Sequence, residues 1–179
     1  INAYMLKKYL LENSEFIQSS NYDERPKNIE IDSIIIHCIS LPESEFNNDN
    51  VTNLFLNKLN YKSHPSFTSL KNVRVSSHLF IKRTGEIIQF VPFDKRAWHA
   101  GVSKYKGREN FNDFSIGIEL HGSISEQYTE KQYQALNYCI SQLKELFPSI
   151  QDSNILGHNE ISSDRKYDPG PNFIWSKIK

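Results

Sequence analysis

The residues of this chain best suited to metal or acid–base chemistry are its six histidines. They are His37, His64, His78, His99, His121 and His158. His37 and His158 each follow a short apolar segment that predicts a buried strand, and strand ends are where α/β sheets build their sites. Asp164 and Asp168 follow His158 in a proline-containing loop. Two imidazoles and one carboxylate are the ligand set of a catalytic zinc ion.

A single histidine is more often a surface or hydrogen-bonded core residue than a ligand. Spacing alone does not select three ligands from six histidines and many acids, so a zinc site and ordinary structural histidines both stay open at this point. Glu119 has a similar choice between a surface carboxylate and a functional one. Its place after the apolar residues 116–118 favours a functional role, because an unpaired buried carboxylate is costly.

The composition excludes several classes of function. The 21 lysines and arginines balance 21 acidic residues, so no overall field attracts nucleic acid or an anionic membrane. No segment approaches the ~20 apolar residues of a membrane-spanning helix. The chain lacks a phosphate loop, a dinucleotide-binding glycine pattern, a His-Glu-x-x-His motif and paired Cys-x-x-Cys motifs. We therefore expect neither a nucleic-acid nor a membrane partner.

Length and cysteine content bear on domain number and compartment. A chain of 179 residues suits one self-supporting domain. Cys38 and Cys139 cannot make a disulfide framework, which favours two reduced thiols in a cytosolic protein. Residues 1–11 lack the apolar core and cleavage site of a signal peptide. We expect a single domain over residues 1–179, a cytoplasmic location and a monomer.

The elements that must position the histidines are strands interspersed with helices. Predicted strands cover residues 34–36, 73–82, 87–91, 114–120 and 154–157. Predicted helices cover residues 5–11, 51–59 and 129–147. Residues 83–86 predict a hairpin turn, and Asn50 is the expected cap of the second helix. This alternation predicts an α/β fold with a mixed central sheet packed by helices.

Local signals define one helix and two loops more closely. Thr129 and Gln132 have the spacing of a capping box, and Pro148 ends the helix that they begin. Residues 21–28 predict a loop. Residues 98–112 are polar, aromatic and without a clear period, and a loop of that length in a compact domain is usually functional.

Several short motifs along the chain belong to one recognisable pattern. The main ones are YDERP (22–26), IIHCISLP (35–42), RVSSH (74–78), VPFDKRAWHAGVS (91–103), NDFSIGIEL (112–120) and RKYDPGP (165–171). In this order the motifs resemble the AmpD-type N-acetylmuramoyl-L-alanine amidases. They span nearly the whole chain, so the resemblance is far more specific than any single histidine.

The resemblance implies a fold, a metal and a reaction. The fold is a mixed sheet packed by helices, as in AmpD and the peptidoglycan recognition proteins. The metal is Zn²⁺ held by His37, His158 and Asp168. The reaction is hydrolysis of the amide between N-acetylmuramic acid and L-alanine in a muropeptide, in cell-wall recycling. Zinc-bound water is then the nucleophile, Glu119 the general base and Lys166 the stabiliser of the oxyanion.

Four further residues are candidates for substrate binding. Arg108 and Arg74 could clamp the peptide carboxylates through bidentate contacts, although each could equally be a surface arginine. Trp98 offers a flat face for the sugar, or is simply a core residue. His99 is a candidate for contacting substrate, and it could instead orient a metal ligand from behind.

The chain departs from the family pattern at Cys38, His121, Asn159 and Glu160. Strand alternation should turn Cys38 away from the ligand His37 and put His121 on the same face as Glu119. Two alternatives to the recycling enzyme remain at this stage. One is an exported or phage amidase of the same chemistry, and the other is a wall-recognition module that binds without cutting.

Overall fold

The computed structural model describes residues 8–178. In chain order its strands are β1 (Glu15–Phe16), β2 (Tyr22–Glu24), β3 (Ser33–Ile39), β4 (Leu79–Ile81), β5 (Ile87–Gln89), β6 (Lys95–Ala97), β7 (Lys104–Tyr105), β8 (Arg108–Glu109), β9 (Ser115–His121) and β10 (Ile155–Gly157). Among these residues, six strands form the central sheet in the order β1-β5-β4-β9-β3-β10. Strands β4, β9, β3 and β10 are parallel, and β5 is antiparallel to β4. The expected mixed sheet is confirmed.

Three α-helices accompany the sheet in the described range: α1 (Asn50–Phe55), α2 (Glu130–Leu146) and α3 (His158–Ile161). The capping box predicted for α2 is present. Thr129 Oγ1 accepts from the Gln132 N–H at 3.1 Å, and Gln132 Oε1 accepts from the Thr129 N–H at 3.1 Å. No helix of the described chain is both long and apolar enough to cross a membrane.

Helix α2 covers one face of the sheet with apolar side chains. Leu136 and Leu143 on the helix and Ile118 and Leu120 on β9 are all fully buried in one cluster. Burying each side chain of this kind contributes about 1.5–3 kcal/mol. This face therefore supplies much of the stability that holds the strands in place.

The opposite face is covered by α1 and by the loops that follow the strands. Phe80 of β4 and Phe55 of α1 pack there with Phe90, in edge-to-face contacts at ring separations of 5.2 and 6.4 Å. Strand alternation places His37 and Glu119 on this same face, because they lie opposite each other in the pairing of β3 with β9.

Three predicted boundaries were wrong. Residues 21–28 contain β2, which pairs with β6 because Asp23 and Arg96 stand opposite each other and form a bidentate ion pair at 2.6 Å. Helix α1 begins at Asn50, so its N-cap is Asp49 and not the predicted Asn50, and the Asp49 side chain makes no capping hydrogen bond. The helix ends at Phe55 and not at residue 59, before Asn57, whose positive φ of 58° is typical of a helix end. The strand predicted for residues 73–82 is limited to β4, because earlier backbone groups bond to Asn21 and Trp98.

The long loop at residues 98–112 also contains structure. Strands β7 and β8 form a small hairpin joined by Lys106 and Gly107, both with positive φ, as a two-residue hairpin turn requires. The hairpin turn predicted at residues 83–86 is confirmed by the antiparallel pairing of β4 with β5. Residues 5–7 of the helix predicted for residues 5–11 lie outside the described residues, and residues 9–11 are not helical. Both cysteines are free.

Candidate metal centre and active site

The three predicted ligands converge. Strands β3 and β10 are parallel neighbours, so His37 near the end of β3 and His158 directly after β10 lie side by side. Their Nδ1 atoms are 2.9 Å apart. Asp168 Oδ2 lies 3.1 Å from Nδ1 of His158 and 3.3 Å from Nδ1 of His37. Residues that are far apart in sequence therefore present three donor atoms to one point.

The donor atoms fit a tetrahedral zinc ion. Zinc bonds of about 2.0–2.1 Å at tetrahedral angles put ligand atoms roughly 3.3–3.4 Å apart, close to the 2.9–3.3 Å observed here. The chemistry of the set also fits. Burial lowers the pKa of His37 to about 4, helped by His158. Burial alone would raise the pKa of Asp168, but hydrogen bonds with His158 and His37 lower it below its ordinary value. Neutral imidazole and carboxylate are the metal-binding forms.

Short hydrogen bonds hold the Asp168 loop against the start of α3. The Asn159 N–H donates to the Asp168 carbonyl at 2.9 Å, and the Tyr128 hydroxyl donates to the carbonyl of Pro169 at 2.7 Å. Glu160 Oε2 accepts from the Gly157 N–H at 2.7 Å, which fixes the turn from β10 into α3. Of the residues that depart from the family pattern, Glu160 thus helps to seat the candidate ligands through its side chain, whereas the contact from Asn159 uses a backbone N–H that any residue other than proline would supply.

Glu119 lies on the same sheet face as the ligands, opposite His37 in the strand pairing. Its Oε2 atom is buried and has no hydrogen-bond partner among the described residues. Burial and the nearby Asp168 raise the pKa of Glu119 well above its ordinary value, while the charge of Lys166 acts in the opposite direction. A carboxyl group with a raised pKa, free of protein partners, is suited to accept and return a proton.

Lys166 stands at the rim of the same site. It is half-buried and lines a cavity of about 320 Å³ together with Asp168 and Cys38. Its charge acts on both Glu119 and His37. Of the candidate site residues, Asp168 and Lys166 line this cavity, so it adjoins the candidate metal centre on the side of Asp168.

A family model described as N-acetylmuramoyl-L-alanine amidase matches residues 27–171. The chain belongs to the N-acetylmuramoyl-L-alanine amidase family. The 1,6-anhydro-N-acetylmuramyl-L-alanine amidase AmpD of Escherichia coli (strain K12) is 45% identical over 175 residues, which are 98% of this chain and 95% of that relative.

Solved structures agree with this assignment. The crystal structure of a selenomethionine AmpD derivative is 44% identical and superposes with a TM-score of 0.93, over 97% of this chain and 96% of that one. The E. coli amidase AmiD, solved with its substrate anhydro-N-acetylmuramic acid-L-Ala-D-gamma-Glu-L-Lys, is 24% identical with a TM-score of 0.61. It covers 89% of this chain, which covers 65% of AmiD, and it shows the same fold.

The four candidate substrate-binding residues of the amidase lie in different surroundings from one another. Arg108 pairs with Asp32 at 3.0 Å and lies 3.8 Å from the ring centre of Phe114, so its guanidinium is already engaged. Arg74 is exposed and makes no ion pair with any described residue. Trp98 is half-buried, and hydrogen bonds from Arg96 and, to a lesser degree, from Trp98 lower the pKa of Asp23. None of these three is part of the ligand cluster.

His99, the fourth candidate, lies directly behind His37, a candidate metal ligand. Its Nδ1 is 2.9 Å from Nε2 of His37, and its Nε2 is 3.3 Å from Oγ of Ser115. Burial, together with the nearby His37, lowers the pKa of His99 well below its ordinary value. The other ligand, His158, points its Nε2 at the carbonyl of Ala100, 3.1 Å away.

Gly117 and Ser115 are site residues that sequence reasoning missed. A Cβ atom on Gly117 would lie 2.4 Å from the ring of His99, so only glycine leaves room for that ring. A glycine inside an apolar strand is a signal of close approach, but it does not say what approaches. Nothing in the sequence distinguishes Ser115 from the chain's other serines.

The two other departures from the family pattern follow strand alternation. Cys38 packs with the α2 face and is not one of the three residues whose donor atoms converge, and burial raises the pKa of its thiol to about 12. His121 is buried on the face of Glu119 and lines a second cavity of about 320 Å³ with Lys82 and Arg83. Burial and these two cations lower the pKa of His121 to about 4.

Proposed function

We propose that this chain is a zinc-dependent amidase that releases L-alanine-linked peptide from anhydro-N-acetylmuramic acid in cell-wall recycling. The convergence of His37, His158 and Asp168 is the observation that carries the proposal. The near full-length similarity to a 1,6-anhydro-N-acetylmuramyl-L-alanine amidase supports the same substrate class. A recycling role goes with a cytoplasmic location, with which two free cysteines agree.

The metal would be held by Nδ1 of His37, Nδ1 of His158 and Oδ2 of Asp168. When bound, zinc supplies an acidified water molecule and polarises the scissile carbonyl. Three protein ligands leave a fourth coordination position open, as catalytic zinc sites do and structural ones do not. This ligand count favours an enzyme over a structural metal site.

Glu119 is assigned the proton transfers. Its carboxylate takes a proton from the attacking water as the new carbon–oxygen bond forms, and then gives that proton to the alanine nitrogen as the carbon–nitrogen bond breaks. The products are the muramic carboxylate and the free amine of the peptide. The buried, unpartnered Oε2 and the raised pKa of Glu119 suit both transfers.

Lys166 is assigned the stabilisation of negative charge on the carbonyl oxygen. Lys166 lines the same cavity as Asp168, and a cation there would favour the developing oxyanion. Of the two arginines, Arg74 is the one left free of an ion pair with a described residue and so able to bind a peptide carboxylate, because Arg108 already pairs with Asp32. Trp98 remains the candidate surface for the sugar.

The test is turnover of soluble anhydro-muropeptide by purified protein, followed by chromatography of the released peptide. We expect turnover that chelation abolishes and added zinc restores. Asp168→Ala should have no activity, whereas Asp164→Ala, an exposed aspartate in the same loop, should keep it. Activity in the chelated protein or in Asp168→Ala would refute the proposal.

Intact sacculi assayed in parallel separate recycling from wall lysis. A recycling enzyme should release peptide from soluble fragments and little from sacculi. The reverse preference would indicate an amidase that acts on the intact wall. Tight binding of fragments without any product would indicate a recognition module.

A further inference from the structure

We propose that His99 and Ser115 are positioning residues that hold His37 in the tautomer able to bind a metal. They form one hydrogen-bonded chain with the backbone carbonyl of Phe111 at its far end. The inference rests on the proposed metal site, and it concerns residues that no metal touches. It assigns His99 an orienting role in place of direct contact with substrate.

The Phe111 carbonyl, at the far end of this series of hydrogen bonds, fixes the direction of every hydrogen bond in the series. The Phe111 carbonyl can only accept, and it lies 2.5 Å from Oγ of Ser115, so the serine hydroxyl donates its one hydrogen there. The serine oxygen is then an acceptor. At 3.3 Å it takes the hydrogen on Nε2 of His99.

The same logic continues to the metal ligand. A neutral imidazole carries one N–H, so His99 with its hydrogen on Nε2 has a bare Nδ1. That nitrogen lies 2.9 Å from Nε2 of His37 and accepts its hydrogen. His37 is left with a bare Nδ1, the atom that faces His158 and Asp168.

The opposite tautomer of His37 interrupts this series of hydrogen bonds. A hydrogen on its Nδ1 would leave Nε2 bare and force the His99 hydrogen onto Nδ1. The bare Nε2 of His99 would then face the oxygen of Ser115, whose only hydrogen is committed to Phe111. Two lone pairs would meet in a buried place, which costs about 1–3 kcal/mol.

The position of His99 is itself fixed. Its ring occupies the space above Gly117, and its backbone N–H donates to Oδ1 of Asn112 at 3.1 Å. The rings of His99 and His37 meet edge to face at 86°, with centroids 5.0 Å apart. We call this series of hydrogen bonds from His37 through His99 and Ser115 a relay. His158 needs no relay, because its Nε2 donates directly to the carbonyl of Ala100.

The direct test is the tautomer of His37 in the metal-free protein, read from long-range ¹H–¹⁵N correlation spectra of the labelled, full chain at a pH where histidines are neutral. In the metal-free protein Oδ2 of Asp168, 3.3 Å from Nδ1 of His37, is a competing acceptor for a hydrogen on that atom. We therefore expect a larger share of the Nδ1–H form of His37 in Ser115→Ala than in the native protein. Ser77→Ala is the matched control, because the buried Ser77 hydroxyl also donates to a backbone carbonyl, that of Leu79 at 2.8 Å. An unchanged His37 spectrum in Ser115→Ala would overturn the proposal.

Zinc affinity, measured by competition with a chromophoric chelator, gives a second readout. Removing an outer-shell partner typically costs 10–100-fold in affinity, so we expect about a tenfold loss in Ser115→Ala and up to about 100-fold in His99→Leu. His99→Asn should recover part of it, because asparagine Oδ1 stands where Nδ1 stood and still accepts from His37. Equal affinities of the Leu and Asn variants would contradict the role of His99 as an acceptor.

The outcomes separate this inference from the function on which it rests. Native protein that fails to bind zinc refutes the metal site, while the tautomer measurement still decides the relay. If the native protein binds zinc and Ser115→Ala, His99→Leu and His99→Asn bind it with the same affinity, the relay alone is refuted. If His99→Leu fails to fold, Ser115→Ala, which loses a single oxygen atom, still gives the answer.

Discussion

The two faces of the central sheet carry opposite kinds of side chain on alternate positions of the same strand. On β9, Ile118 and Leu120 are fully buried under α2, while Glu119 lies on the face of the candidate site and His121, on that same face, lines the second cavity. The α2 face has apolar groups in close packing. The site face has two buried polar atoms, Oε2 of Glu119 and Nε2 of His121, that make no hydrogen bond within residues 8–178.

This difference indicates a division of labour between the two faces of the same strands: the α2 face provides stability, and the opposite face provides the candidate site. An unpaired buried polar atom costs free energy, and it persists only when surrounding structure holds it in place. Packing under α2 holds β9 and β3 rigid, and their other faces can then carry Glu119 and His37 at fixed separations. Substitutions on the two faces should therefore separate stability from activity.

The largest expected effect is on the site face. Glu119→Gln keeps the size of the side chain but cannot accept a proton, so turnover should fall by about 10²–10⁴-fold, the usual contribution of a general base. Zinc affinity should stay near that of the native protein. Comparable turnover in the variant would remove Glu119 from the mechanism.

The same variant tests the cost of the buried carboxyl group. Because the pKa of Glu119 is raised in the folded state, its contribution to stability is fully present below its unfolded pKa and is lost as pH rises through the folded pKa. Metal-free Glu119→Gln should therefore resist denaturant better than the native protein at neutral pH. The advantage should shrink toward pH 4. Denaturant midpoints across that range provide the check, and a constant difference would count against the raised pKa.

The next effect in size belongs to the α2 face. Leu136→Ala leaves a cavity in the core, and such changes cost about 2–5 kcal/mol. Turnover per folded molecule and zinc affinity should be unchanged, because Leu136 lies across the sheet from the ligands. Urea unfolding and a zinc titration measure the two properties. A large loss of affinity with native-like stability would contradict the division of labour.

A substitution at the site face with a mixed effect is Gly117→Ala. The new Cβ would collide with the ring of His99, and forcing extra atoms into packed space costs about 1–3 kcal/mol. We expect weaker zinc binding together with some loss of stability. A crystal structure or the His37 tautomer would show whether the His99 ring moves, and an unmoved ring would count against the tight fit.

The smallest expected effect is at the start of α2. Thr129→Ala removes a side-chain cap and should cost about 1 kcal/mol, whereas Thr129→Ser keeps the hydroxyl and should cost less. Neither variant should change turnover. A thermal or urea midpoint gives the result, and equal stability of both variants would mean that the capping hydrogen bond contributes little.

The parts of the fold that sequence predicts best are those that depend on local patterns. The capping box of α2 depends on Thr129 and Gln132 alone, and the apolar run of β3 is a local signal. The start of α1 and the short β2 could not be predicted in the same way. Strand β2 exists because Asp23 meets Arg96, 73 residues away, and a local pattern carries no information on that pairing.

The candidate site also has some residues that the sequence predicts and others that it could not predict. Strand ends pointed to His37 and His158, but the residues alone left Asp164 and Asp168 equal, and the family resemblance chose between them. The structure leaves Asp164 exposed and brings Asp168 to the histidines. Ser115 could not be found from sequence, because its role depends on where His99 and the Phe111 carbonyl lie in three dimensions.

The most direct test of the account is diffraction from zinc-loaded crystals at wavelengths on either side of the zinc absorption edge, combined with metal analysis. The account predicts one zinc ion per chain, with an anomalous peak bonded to Nδ1 of His37, Nδ1 of His158 and a carboxylate oxygen of Asp168. A chain that purifies and crystallises without zinc under these conditions, or a peak held by other side chains, would contradict it.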